Sequence, residues 1–102
     1  MASSKEFLDF VLEQLSPLEG ISYRGMMGEY VLYIEGKVFG GIYDDRLLLK
    51  PTPTAVKLSG EPSFELPYEG AKEMLSIDVD DREKLIQIIS SMADELPQRK
   101  KK

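Results

Sequence analysis

Carboxylates are the side chains best placed to do chemistry in this chain, because its 102 residues contain no histidine and no cysteine. Two clusters stand out, Asp44-Asp45 and the group Asp78, Asp80 and Asp81. Each would hold a cation if its oxygens converged, but neither has the glycine and downstream glutamate of a calcium loop. Both also have a structural explanation. A tight turn favours aspartate for its side-chain bond to the backbone, and a helix start favours negative charge. A zinc site would have to be built from carboxylates alone, which does not suit zinc. Haem ligation by His or Cys is excluded, as are nucleophiles that need a histidine base. A carboxylate pair or a Ser-Lys dyad remains open. On balance no enzyme, metal site or cofactor is expected.

Two other features invite a ligand reading. Arg24, near the glycine-flanked Met26-Met27, is a candidate anion contact, or else a surface arginine on an edge strand. The two methionines read as core or rim fillers. Gly40-Gly41, inside a strand, marks a β-bulge, room for a large side chain from a covering helix, or the close approach of a ligand. It is not a nucleotide loop, because neither G-x-G-x-x-G nor Walker spacing surrounds it.

Composition narrows the class. One domain with one core fits 102 residues, and 42% apolar with 30% charged residues is ordinary for a soluble fold. No apolar run approaches the roughly 18 residues of a membrane span, and the N-terminus lacks the layout of a signal peptide, so a cytoplasmic protein is expected. Formal net charge is −5, yet the last four residues, Arg99 to Lys102, are all basic. Without them nine basic residues face 18 acids, giving −9. A body that acidic repels phosphate backbones, so no specific nucleic-acid binding is expected of it. The assignment is a single domain over 1–97 and a disordered basic tail over 98–102.

These residues must be positioned by regular elements. Ser3 with Glu6 forms a capping box, and Phe7, Leu8, Val11, Leu12 and Leu15 recur at helical spacing, predicting a helix over 4–16 that stops at Ser16-Pro17. Residues 21–50 read as an antiparallel meander of three or four strands, with Glu35-Gly36 and Asp44-Asp45 as hairpin turns. Thr52-Pro53 opens a short helix over 53–59, which Gly60 stops. Strands are expected at 63–66 and 73–79. Asp80 with Glu83 starts a final helix over 81–95, striped by Leu85, Ile88, Ile89, Met92 and Leu96.

The segment Arg24-Gly25-Met26-Met27-Gly28, followed by Tyr30 to Tyr33, Glu35-Gly36-Lys37-Val38-Phe39 and Asp45-Arg46-Leu47-Leu48-Leu49-Lys50, resembles the N-terminal domain of the TfoX competence regulators. That family typically shows a basic residue, Met-Phe-Gly-Gly, an acidic-Gly hairpin, an apolar-Phe pair and a Leu-x-Leu-Lys strand. Here Met27 replaces the phenylalanine and Glu29 the second glycine. The resemblance implies a two-layer α+β fold of the secretion-chaperone type: an antiparallel sheet with helices packed on it, in the order α-β(3-4)-α-β2-α. In full-length regulators a second, helical domain follows, and the protein promotes expression of DNA-uptake genes. The sequence ends at Lys102, so that second domain is expected to be missing. The family supplies no catalytic residues to carry over.

The leading expectation is therefore a small non-enzymatic regulatory or adaptor domain that binds a protein partner or itself, including as a homodimer. A small-molecule or ion-binding domain, with Arg24 and the glycines near the ligand, is the alternative. An unbulged register from the Glu35-Gly36 loop pairs Ile34 with Lys37 and Leu32 with Phe39. Val31, Tyr33, Val38, Ile42, Leu47 and Leu49 then face the helices. The opposite face carries Tyr30, Leu32, Ile34, Phe39, Tyr43 and Leu48, rimmed by Lys37, Arg46 and Lys50, and is the candidate partner-binding surface. Cover by the short helix or by the chain's own loops is the competing reading, and a one-residue slip would exchange the faces.

Overall fold

The computed structural model describes residues 4–26, 29–60, 62–67 and 69–96. Met27, Pro97 and the basic tail lie outside them. Along the chain come α1 (Lys5–Gln14), β1 (Ile21–Met26), β2 (Glu29–Ile34), β3 (Lys37–Ile42), β4 (Leu47–Leu49), α2 (Pro53–Ser59), β5 (Ser63–Glu65), β6 (Met74–Ser76) and α3 (Arg82–Met92), which runs into a 3-10 turn at Ala93–Glu95. The order α-β4-α-β2-α is the one expected. The six strands form one open antiparallel sheet, ordered β1-β2-β3-β4-β6-β5.

Both hairpins turn as their residues dictate. Glu35 and Gly36 have φ of 51° and 80°, and Asp44 and Asp45 have φ of 55° and 57°. Two successive positive φ values define the type I′ turn, whose twist matches that of the flanking strands. Tyr43 and Arg46 exchange both backbone hydrogen bonds, at 2.9 and 3.0 Å, across the second turn.

The register between those turns departs from the expectation. Ile34 pairs with Lys37 and Tyr33 with Val38, but Leu32 then pairs with Gly40 and Tyr30 with Ile42. Phe39 is the extra residue of a β-bulge, and beyond it every β3 side chain changes face relative to β2. Gly40 permits this. A Cβ there would lie 2.3 Å from the Leu48 carbonyl oxygen and 3.0 Å from the Leu49 Cα. Leu32, Ile34 and Phe39 therefore join Ile42, Leu47 and Leu49 in a single buried cluster. The same cluster includes Leu8, Val11 and Leu15 of α1, Ala55 of α2, and Leu85, Ile88, Ile89 and Met92 of α3, with Tyr30 packed against it. All three helices thus sit on that face. The assignment of Leu32, Ile34 and Phe39 to a partner-binding surface is corrected: they are the core, because the bulge unites two half-faces that an unbulged ladder would separate.

Capping fixes the helix starts. Ser4 accepts from the Phe7 N–H at 3.1 Å, Thr52 from Ala55 at 3.1 Å and Asp81 from Lys84 at 3.2 Å. The caps of α1 and α3 each fall one residue later than Ser3 and Asp80. The helix ends are served from elsewhere in the chain. Neither α1 nor α3 has a basic residue in its last turn. Instead Arg82 donates to the Glu13 and Gln14 carbonyls at 3.2 and 3.3 Å, Lys37 Nζ to Ala93 at 3.0 Å, and Lys84 Nζ to Ser59 at the end of α2 at 2.9 Å. Each cation meets the negative end of a helix dipole that belongs to another element. Glu95 completes the lacing by accepting from the hydroxyl and the N–H of Thr54 in α2, the latter at 3.1 Å.

Two expectations follow for stability. Phe39→Ala should cost about 3–5 kcal/mol, because a fully buried ring is lost and a cavity remains. Gly36→Val should cost roughly 1 kcal/mol or more, because a β-branched residue resists a positive φ. Urea denaturation of each variant checks both. The bonds from Thr54, the hydroxyl first, hold the Glu95 carboxyl below its usual 4.5. A folded-state value below the unfolded one means stability that is present above the unfolded pKa and is lost as pH falls through the folded one. Glu95→Gln should therefore flatten the fall in urea midpoint that the parent protein shows below about pH 4.5.

Candidate functional site

With the helices on one side, the candidate site is the other face of the sheet. Strand alternation places Ser22 and Arg24 of β1, Val31 and Tyr33 of β2, Val38 and Gly41 of β3, Leu48 of β4 and Met74 of β6 on it. This face has two halves.

Over β1, β2 and the start of β3 it is open. Arg24 pairs with Val31, and Tyr33 lies between Ser22 and Val38. Val31, Tyr33 and Val38 are only half-buried, and Arg24 is exposed. A shallow hollow of about 320 Å3 lies between Arg24 and Tyr33. Arg24 makes no ion pair among the described residues, so its guanidinium is available to an external anion. It stands on β1, an edge strand six residues long whose outer side has no neighbouring strand among the described residues.

Over β4 and β6 the face is covered by the chain itself. The Tyr43 ring lies across Gly41, where a Cβ would meet ring carbon Cε2 at 2.7 Å and the hydroxyl at 2.8 Å. Leu48, paired with Gly41 and Ser76, is fully buried on this face, apart from the main core cluster. Its place in the expected binding surface is corrected too. Arg46 organises the cover. Its guanidinium pairs with Glu65 of β5, Nη2 donates to the Leu66 carbonyl at 3.4 Å, and Nε donates to the Tyr43 carbonyl at 3.1 Å. The β3–β4 turn is thereby tied to Glu65 and Leu66 at the end of β5, next to which Pro67 is buried. An open cleft of about 480 Å3 lies beside it, lined by Tyr43, Lys50, Pro67, Ala71 and Met74 among others.

Of the residues expected to form a partner surface, Tyr43 alone lies on this second face with part of its surface in solvent. Tyr30 is half-buried on the helix side, where its ring meets that of Tyr23 edge-on at 5.9 Å. Pro67, Ala71 and Met74 were not anticipated from the sequence. Gly70, with φ of 89°, marks a turn before β6, but a turn residue does not show against which face its neighbours pack.

The two aspartate clusters take structural roles. Asp45 accepts from the Ser4 N–H at 2.7 Å and anchors the start of α1, Asp81 caps α3, and Asp78 accepts from the Asp80 N–H at 2.9 Å. No grouping of three or more acidic side chains suited to a metal ion occurs among the described residues. No helix among them is long and apolar enough to cross a membrane.

Comparison with known proteins now has a geometry to rest on. The model of the TfoX N-terminal domain matches residues 13–91, a span that runs from α1 into α3. A curated relative, described as an uncharacterized 12.7 kDa protein in the trpE 5'region of Spirochaeta aurantia, is 38% identical over 73 residues. That alignment takes in 72% of this chain and 64% of the relative, so the chain spans less than two thirds of the relative's length. No solved structure matches. The matched span includes all six strands and both halves of the second sheet face, and on that basis the chain belongs to the TfoX N-terminal domain family.

Proposed function

We propose that this chain is a non-enzymatic regulatory or adaptor domain that acts by binding protein, in the control of transcription or competence, with self-association into a homodimer as one form of that binding. The observation that carries the proposal is the open half of the second sheet face. Val31, Tyr33 and Val38 stay half-exposed there with no helix over them, and Arg24 is placed beside them. An apolar centre with an aromatic ring and an arginine at its margin is the composition that protein interfaces favour. The neighbouring edge strand adds unpaired backbone donors and acceptors. Charge argues for protein over nucleic acid, because the chain without its last four residues carries −9.

The test is the double variant Val31→Ser/Tyr33→Ser. Neither residue is fully buried, so the variant should fold. Affinity capture from native lysate, with sedimentation equilibrium of the purified chain, should show a partner or a dimer for the parent protein and its loss in the variant. An unchanged partner set in the folded variant, or a parent protein that is monomeric and captures nothing, overturns the proposal. The chain truncated before Arg99 should give no anisotropy change with labelled duplex DNA at about 150 mM salt, where long-range attraction is already screened. Binding under those conditions would contradict the protein-only reading.

A further inference from the structure

The covered half of the second face holds a feature that the protein-binding reading does not use. Pro67 and residues 71–74 border, with Tyr43 and residues 50–52, the open cleft of about 480 Å3, within the size range of small-molecule sites. Its walls are mostly apolar: the Tyr43 ring, Pro51, Pro67, Ala71 and Met74. Lys50 is the half-buried cation among them. It follows directly on β4, two residues beyond Leu48, and lines the cleft together with Met74. Lys50 makes no ion pair among the described residues. An anion brought beside it among apolar walls is attracted more strongly than it would be in open water. Lys72 and Glu73, both exposed, also border the cleft. They offset one another and leave the charge of Lys50 in excess.

We propose that this cleft binds a small organic acid, with an aromatic or branched aliphatic body against Tyr43, Pro67 and Met74 and a single carboxylate on Lys50. A monocarboxylate fits better than a phosphate. One ammonium on a flexible stem matches one negative charge, whereas the planar fork of an arginine, which suits a phosphate, is missing from the lining. The nearby start of α2 offers no second anchor, because its Thr52 cap and Glu95 already occupy the Ala55 and Thr54 N–H groups. The inference stands apart from the protein-binding reading, since it concerns different residues and needs no partner.

The experiment is an NMR titration of the full chain, followed through backbone amides, with benzoate and 4-methylpentanoate as probes and with benzamide and inorganic phosphate as controls. Saturable shifts confined to residues 43, 50–52 and 69–74 are expected with both carboxylates. Benzamide should bind at least tenfold more weakly, and phosphate should leave these amides unmoved. Lys50→Gln should weaken carboxylate binding at least tenfold while the rest of its spectrum overlays that of the parent protein. Ala71→Leu, which fills the cleft without touching the charge, should abolish the shifts. The proposal is overturned if neither carboxylate gives saturable shifts, if the shifts map elsewhere, if benzamide or phosphate binds as well, or if either folded variant binds as the parent does.

Discussion

A Cβ on Gly40 would sit 2.3 Å from a backbone oxygen, and much of the molecule depends on that position having none. Without a side chain there, β3 can approach β4 closely enough to pair Gly40 with Leu49 while Phe39 is extruded as a bulge. The bulge decides which side chains share a face. It places Leu32, Ile34 and Phe39 with Ile42, Leu47 and Leu49, and these six residues form the floor on which three helices lie. An unbulged ladder would divide the same six between the two faces, and Leu32, Ile34 and Phe39 would lie opposite the helices. The adjacent Gly41 acts on the opposite side, where its bareness lets the Tyr43 ring close over it.

The helices are held by more than apolar contact. Their C-terminal carbonyls are met by Arg82, Lys37 and Lys84, all from other elements, and Asp45 ties the start of α1 to the β3–β4 turn while Glu95 ties the start of α2 to the end of α3. Such bonds contribute modestly one by one. Their geometric effect is larger, because each joins segments far apart in sequence and so fixes how a helix is set on the sheet.

With the helices confined to one side, the second face divides by what covers it. Self-cover by Tyr43 and by the Arg46-tethered loop makes a cleft at the β4–β6 end. The β1–β3 end, beyond reach of that loop, presents a half-exposed apolar strip beside Arg24. The proposed recognition surface and the proposed small-ligand cleft therefore draw on different residues of one sheet. The family model and the relative place the chain among proteins of the TfoX N-terminal domain type, and the physical features of this face are what give that membership a functional content.

Local chemistry made most of the element order legible. Thr52-Pro53 and Gly60 bound α2 where their capping preferences put them, and Glu35-Gly36 and Asp44-Asp45 adopt the positive φ values that such pairs tolerate. Three or four strands in the first group and two in the second were readable in the same way, because turns and caps are decided within a few residues, and the two-layer class came from the family resemblance. The faces of the sheet were not. Gly40-Gly41 signalled a bulge, but Val31-Leu32-Tyr33-Ile34 and Leu47-Leu48-Leu49 are apolar at every position, so no alternation reveals the phase. Only the contact between Gly40 and β4 sets it, and a one-residue change there exchanges core for surface. The cleft was hidden for the same kind of reason. Lys50 and Tyr43 are near each other in the chain, but Pro67, Ala71 and Met74 reach them only because a loop folds back across the sheet, and that fold-back is held by a pairing of Arg46 with Glu65, 19 residues away.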